Sequence, residues 1–349
     1  MTPPPSLRWQ LSDDEDRAQG ALFEEQVERH IGRGEYRGME FLHVNARRII
    51  NEVPAASRLP FRFTINAYRG CSHACSYCFA RPTHEFLGMN SGTDFERRIV
   101  VKVNAVERLR SELKPSRWGG HHIAMGTNTD PYQRCEAKFR LTQGIVTELA
   151  AAANPFSILT KSTLILRDLD LLSEAANRTD VRANFSIGTL DEEVWRLTEP
   201  GTPHPKLRVE ALAKLQAAGI PCGVLVAPVL PGLSDRDDQL EAVVDACVAA
   251  GATSISPILL HLRPGVREHY LQWLADVRPE LVAEHDRLYQ RAYAPKRAQQ
   301  ALARRVARMV DRRGGLVKPP REARSVSRPA VPPTPAGRSI RGRQLSLDV

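Results

Sequence analysis

The chain is short of thiols: 349 residues contain only six cysteines. It also lacks any apolar run approaching the roughly 20 residues that cross a bilayer, which excludes a helical membrane protein. Its first residues, "MTPPPSLRWQLSDDEDRAQG", are proline-rich and then acidic, so they read as neither a secretory signal nor a transit peptide. A cytoplasmic location and reduced cysteines are therefore expected, which favours metal binding or catalysis over disulfides. What remains is ordinary for a globular protein, 42% hydrophobic and 26% charged, and long enough for one large α/β domain with extensions.

Charge is unevenly placed. Residues 291–349 carry 15 Lys or Arg against three acids, a net +12, leaving residues 1–290 at −3 of a chain total of +9. This end reads as a basic helical segment followed by a Pro/Arg-rich disordered tail. Such a tail contacts nucleic acid through phosphates, or serves as a solubilising extension. It lacks the interleaved aromatics that stack on bases.

Between these ends lies a regular alternation. Apolar strands are expected at 61–66, 121–126, 155–161, 181–188, 221–229 and 252–260, with helices at 104–113, 141–153, 166–178, 205–219 and 236–251. In the last two helices apolar residues recur at i, i+3, i+4 and i+7, and Gly219 and Gly251 stand where helices end. "GALFEEQVERHIG" reads as a short amphipathic helix. Six strands separated by five helices imply parallel pairing with crossovers, as a partial barrel or an open doubly wound sheet. Either way ligands gather at the strand C-terminal ends. There the sequence is rich in Gly, Pro, hydroxyls and carboxylates: "GTNTDPYQ", "TKST", "SIGTLDEE", "APVLPGLSD".

Half of the thiols sit in one loop on that face. "GCSHACSYCF" spaces Cys71, Cys75 and Cys78 as C-x3-C-x2-C directly after the first predicted strand. Thiolates suit zinc or iron–sulfur clusters. Three cysteines leave one iron of a [4Fe–4S] cubane without a protein ligand, useful only where a substrate or cofactor binds it. The rival is a zinc site completed by His73, His84 or a distant cysteine, but the usual second CxxC-like pair is missing.

The C-x3-C-x-aromatic-C motif, with Tyr77 in the aromatic place, on a six-fold βα array resembles the radical S-adenosylmethionine (SAM) superfamily. The resemblance implies a partial (β/α)6 TIM-like barrel and a [4Fe–4S] cluster on Cys71, Cys75 and Cys78. It also implies that the fourth iron chelates SAM. One electron from a flavodoxin- or ferredoxin-type donor then releases methionine and a 5′-deoxyadenosyl radical that abstracts hydrogen. "GTNTDPYQRCE", "SILTKSTLILRDLDLL" and the stretch from "SIGTLDEE" to "PGLSD" are similar to the branch related to spore photoproduct lyase. Carried over by position, the SAM contacts are Tyr77, Thr129, Lys161, Ser186 and Ala227. Two departures argue against repair of spore photoproduct itself. Thr127 stands where those lyases place a hydrogen-donating cysteine, and Phe79 where they have a tyrosine.

The expected organisation is thus an N-terminal extension (1–55), a radical SAM core (56–290) and the basic segment (291–349). Cys135 and Tyr132 are the candidates for the chemistry, although Cys135 also reads as a semi-exposed incidental thiol. Asp130 and Glu136 read equally as ligand contacts or as turn residues, Asp191 as a helix cap, and Cys222 and Cys247 as small core hydrophobes. The expected substrate is unidentified, with nucleic acid the leading class. The rival function is a non-catalytic nucleic-acid-binding protein with a structural metal site.

Overall fold

The computed structural model describes residues 23–316 apart from 55, 56 and 58. The strands are β1 (Phe23–Ile31), β2 (Glu40–Ala46), β3 (Ile50–Glu52), β4 (Phe63–Ile65), β5 (Tyr68–Arg69), β6 (Arg98–Lys102), β7 (Ile123–Met125), β8 (Phe156–Thr160), β9 (Val181–Ser186), β10 (Cys222–Val229) and β11 (Ser254–Leu259). The helices are α1 (Thr93–Arg97), α2 (Ala105–Glu112), α3 (Glu136–Phe139), α4 (Leu141–Ala151), α5 (Leu169–Ala176), α6 (Glu192–Thr198), α7 (Pro205–Ala217), α8 (Asp237–Ala249), α9 (Val266–Val277), α10 (Val282–Leu288) and α11 (Lys296–Arg312).

All six expected strands form, and they lie in one sheet ordered β11-β10-β9-β8-β7-β4-β3. The six are mutually parallel; only β3 joins antiparallel, at the β4 edge. β11 and β3 are the edges of this sheet, as a partial barrel requires. The helices cover it because their apolar stripes and the inward residues of the strands fill one core, including Ile123, Phe156, Ile158, Phe185, Leu212 and Val243. All the parallel strands therefore aim their C-terminal ends at one mouth.

A second sheet, β1-β2-β6-β5, was not foreseen. The amphipathic helix expected around "LFEEQVERHI" is instead the edge strand β1, antiparallel to β2. Val27 packs on Leu42, Val44, Leu87, Met89 and Val100, while Glu28, Arg29 and His30 face solvent. Backbone pairing with β2 decides the conformation. "RIVVK" in β6 pairs parallel with β2 and antiparallel with β5, the two-residue strand that leads directly into the cysteine loop.

The basic helix α11 is part of the globule. Leu302, Val306, Met309 and Val310 are buried in the main core. On its flank Arg305 pairs with Asp237 at 2.7 Å, Arg312 with Glu241 at 2.5 Å and Arg313 with Asp245 at 2.6 Å. These pairings run in the same order along both helices, so α11 and α8 point the same way, from the mouth downward. Lys296 and Arg297 are thus at the mouth end, roughly 13 Å above the Arg305 level at about 1.5 Å per residue. The tail expected beyond Leu316, and the first 22 residues, lie outside the described residues. Among the described residues no helix is long and apolar enough to cross a membrane.

The packing of α11 has a direct test. Leu302→Ala should cost about 2–4 kcal/mol through the cavity it leaves, whereas exposed Arg304→Ala should stay within about 0.5 kcal/mol. Urea denaturation of the two variants checks this.

Candidate functional site

The cysteine loop follows β5 through Gly70, whose φ of +80° turns the chain, and whose Cβ position lies only 2.8 Å from the Phe95 carbonyl. Cys71 and Cys75 are buried and Cys78 is half-buried, all three unpaired. Arg81, fully buried, donates twice to the Cys75 carbonyl, at 3.1 and 2.8 Å, and its charge is met by Glu96 at 2.5 Å. Burial raises all three thiols, that of Cys75 to about 12. They are therefore protonated until a positively charged centre draws the protons off.

The spacing of the sulfurs bears on which centre fits. Among the described residues, the group of three His, Cys, Asp or Glu whose ligand atoms all lie within 4.8 Å of one another is Glu28, His30 and His43. The three thiols do not form such a group. A zinc ion with Zn–S bonds of about 2.3 Å would gather its sulfurs to about 3.8 Å. At least one pair of the thiols is thus farther apart than one zinc ion would gather it. Cys135, Cys222 and Cys247 are buried in a different core cluster, which leaves a donor set of three thiols, one short of the irons of a cubane.

Two buried networks hold the loop. The first comes from the segment after β7. Asp130 accepts from the Lys161 backbone at 2.7 Å and from Thr160 at 2.6 Å, and faces His73 at 3.4 Å. Burial alone would raise its pKa, but His73 and these donors outweigh that and lower it. Thr129 and Gln133 both donate to the Gly70 carbonyl, at 2.6 and 3.0 Å, and the Ser72 amide donates to Gln133.

The second network centres on Glu199, in the turn after α6. Its carboxylate accepts from Lys161 at 2.9 Å, from Arg208 at 2.5 Å and from the Tyr77 hydroxyl. Burial would raise this carboxyl, but the Arg208 and Lys161 cations hold it well below the usual range. Lys161 also donates to Ser186 at 2.7 Å, and Ser186 donates to the Ala227 carbonyl at 2.7 Å. The same turn touches the cysteine loop directly. The Gly201 amide donates to the His73 carbonyl at 3.1 Å, and the Ser76 amide to the Thr198 carbonyl at 3.0 Å. A Cβ on Gly201 would stand 2.2 Å from the Ser72 carbonyl.

Four of the five expected SAM contacts, Tyr77, Lys161, Ser186 and Ala227, are therefore one cluster, supplied by the cysteine loop and the ends of β8, β9 and β10. The fifth, Thr129, is buried in the first network. Glu199 and Arg208 escaped the sequence reading. Their only local signal is a glutamate before Pro-Gly in "TEPGTPHPKLR", which looks like any turn.

The candidates for chemistry lie deeper than expected. Cys135 is fully buried, not semi-exposed; it packs in the main core, where burial and then Glu136 raise its pKa. Tyr132 is fully buried and donates to Asp168 at 3.0 Å. Glu136 takes the Tyr68 hydroxyl at 2.5 Å, Arg167 at 2.9 Å and the amides of Thr142 and Gln143 that open α4. Of the two readings for Glu136, the structure displays the local one. Asp191 caps α6 by accepting from the Val194 amide at 3.0 Å.

Residues 65–244, the span that contains the thiols and both networks, match the Radical SAM superfamily. The chain belongs to that superfamily. It is a radical SAM enzyme, and members use a [4Fe–4S] cluster and SAM, cleave SAM reductively and take the electron from an external reductant. An uncharacterised protein of Mycobacterium tuberculosis is 46% identical over 283 residues, 81% of this chain and 83% of that protein. The fold is similar to spore photoproduct lyase complexed with dinucleoside spore photoproduct. That match has a TM-score of 0.57 and 16% identity, covering 78% of this chain and 79% of the lyase. A mutant of that lyase with bound AdoMet and the same dinucleoside matches at a TM-score of 0.54 and 16% identity, over 75% and 78% of the two chains. At these identities the likeness concerns the fold.

Glu199→Gln keeps the shape but leaves the buried Arg208 and the half-buried Lys161 without a counter-charge, and should destabilise the chain by about 3–5 kcal/mol. A carboxyl held below its ordinary value near about 4.3 stabilises the fold above that pH, and the contribution is lost as pH falls through the depressed value. Acid unfolding monitored by circular dichroism should accordingly be less steep in Glu199→Gln than in the unaltered protein.

Proposed function

We propose that Cys71, Cys75 and Cys78 hold the [4Fe–4S] cluster and that Tyr77, Lys161, Ser186 and Ala227 form the SAM cradle beside it. A cluster held on these thiols would supply the one-electron reduction that cleaves SAM to methionine and a hydrogen-abstracting 5′-deoxyadenosyl radical. The observation that carries the assignment is the convergence of Tyr77, Ser186 and Ala227 on one ammonium, that of Lys161, which Glu199 anchors beside three unpaired thiols at the strand ends.

Each side chain has a task that its surroundings support. Lys161 has one proton on Glu199, one on Ser186, and lies 5.5 Å from the Tyr77 ring. Its ammonium is thereby aimed, ready for a carboxylate such as that of the methionine moiety. The Ala227 carbonyl and the Ser186 hydroxyl oxygen offer acceptors to amine and ribose hydroxyl groups, the single Ser186 proton being given to the Ala227 carbonyl. Thr129, committed to the Gly70 carbonyl, acts here by fixing the loop. Phe79 and Thr127 carry no exchangeable thiol or phenol, and Cys135 is sealed in the core, so the two positions that resemblance links to hydrogen return in spore photoproduct repair are not matched here. The reaction proposed is hydrogen abstraction from another substrate bound at the mouth.

Nucleic acid is the proposed substrate class. Three arginines of α11 are engaged with α8, but Arg291, Lys296, Arg297, Arg304 and Arg308 are exposed, and the first three stand at the mouth end. Such cations suit a phosphate backbone. The rival of a binding module with a structural metal does not explain why buried lysine, serine and tyrosine side chains are gathered beside the thiols.

Anaerobic reconstitution should give a brown protein that forms 5′-deoxyadenosine when reduced with SAM. Replacing any one of Cys71, Cys75 or Cys78 with Ala should abolish that product. Lys161→Ala should raise the SAM dissociation constant about tenfold or more, as the loss of a charge-assisted hydrogen bond predicts. Full product formation by Cys75→Ala would remove the cluster assignment; unaltered SAM affinity in Lys161→Ala would remove the cradle.

A further inference from the structure

We propose that Phe79, His261 and Tyr293, with Arg263 beside them, form a shelf on which an unpaired base of a single-stranded nucleic acid stacks. This rests on reading the barrel mouth as the substrate site, and it names the part of the substrate that the mouth receives.

The shelf is built where the segment that follows β11 meets the cysteine loop. Phe79 directly follows Cys78, and His261 follows the end of β11. Arg263 spans the gap by donating to the Phe79 carbonyl at 2.8 Å, its guanidinium carbon 5.5 Å from the Phe79 ring centre. His261 stacks on Tyr293 with ring centres 5.2 Å apart and planes 25° from parallel, and its ring centre is 6.0 Å from that of Phe79. Leu260 and Leu262 alternate inward and are buried to 2% and 1% exposure, so the chain turns His261 and Arg263 to the other side. Phe79 and Tyr293 keep 38% and 40% of their surface exposed, high for large rings that make no use of water.

Three features of the shelf select one kind of ligand. Exposed ring faces take a planar π system. Arg263 is partly exposed beside the rings and gives one hydrogen bond to the Phe79 carbonyl; a guanidinium carries five N–H donors, so others suit an acceptor oxygen. Arg291, Lys296 and Arg297 are exposed on either side of Tyr293 in the chain, and they suit phosphates. An aromatic amino-acid side chain would satisfy only the first of these. A base in a strand satisfies all three, through its face, its ring carbonyl and its backbone, and it must be out of a duplex stack to present a free face.

The test uses the full chain, reconstituted anaerobically, with a fluorescein-labelled ten-nucleotide oligothymidylate read by anisotropy at constant salt. Tyr293→Leu and Phe79→Leu should each weaken binding about tenfold, while Tyr293→Phe, which keeps the ring, should bind as the unaltered protein does. A strand of the same length with abasic sites should bind as weakly as the Leu variants. Leu variants with unchanged affinity, or an abasic strand bound equally well, would overturn the shelf. So would thymidine 5′-monophosphate competing mole for mole with the strand, since that makes the ligand a free nucleotide. Unchanged strand binding with slower cluster reduction by flavodoxin would also overturn it, and would make this face the electron-donor dock. Formation of 5′-deoxyadenosine by the unaltered protein reports separately on the radical assignment, so failure of one reading is distinguishable from failure of the other.

Discussion

The site depends on one buried carboxylate. Glu199 accepts hydrogen bonds from Tyr77, Lys161 and Arg208, and these reach it from the cysteine loop, the end of β8 and helix α7. A glutamate so enclosed is costly to desolvate, and two cations with several hydrogen bonds are what make it tolerable. The geometry that results is specific: each partner has one orientation in which the charge is balanced. The turn bearing Glu199 also presses Gly201 against Ser72, so the charge network and the shape of the metal-binding loop are fixed together. Fitting a cation beside the thiols before any cofactor arrives is pre-organisation, which spares the binding step that ordering cost.

How much of this was legible depends on the range of the interaction. The parallel strands were readable because each is a short apolar run bounded by turn residues, and their limits fell within a few residues of the expected ones. The three thiols were readable because their spacing is local. Glu199 and Arg208 were not, since nothing periodic links a glutamate in a turn to a tyrosine 122 residues earlier. β1 was misread because "FEEQVERHI" carries charges at helix-like intervals, and what decides its state is an edge of β2 that only the fold creates. Cys135 was misplaced for a related reason. A polar neighbourhood, "DPYQRCE", suggests exposure, but Tyr132, Gln133 and Glu136 are themselves buried with partners.

The basic end of the chain also divides once its surroundings are known. Arg305, Arg312 and Arg313 answer Asp237, Glu241 and Asp245 on α8, exposed pairs that contribute little energy individually but set how the two helices lie side by side. The remaining cations of α11 are those that charge counting alone could not separate from them. Net charge spoke about solubility and partners, as it generally does; the fold decided which cations are spoken for.

The contact between Gly201 and the Ser72 carbonyl carries a consequence for biogenesis. The thiols emerge early in synthesis, yet their loop has its shape only when a turn made much later is seated against it. A chain that ends before Glu199 has the three sulfurs but not the turn that shapes their loop, so the native form of the metal-binding loop is a long-range product of folding and not of its own sequence.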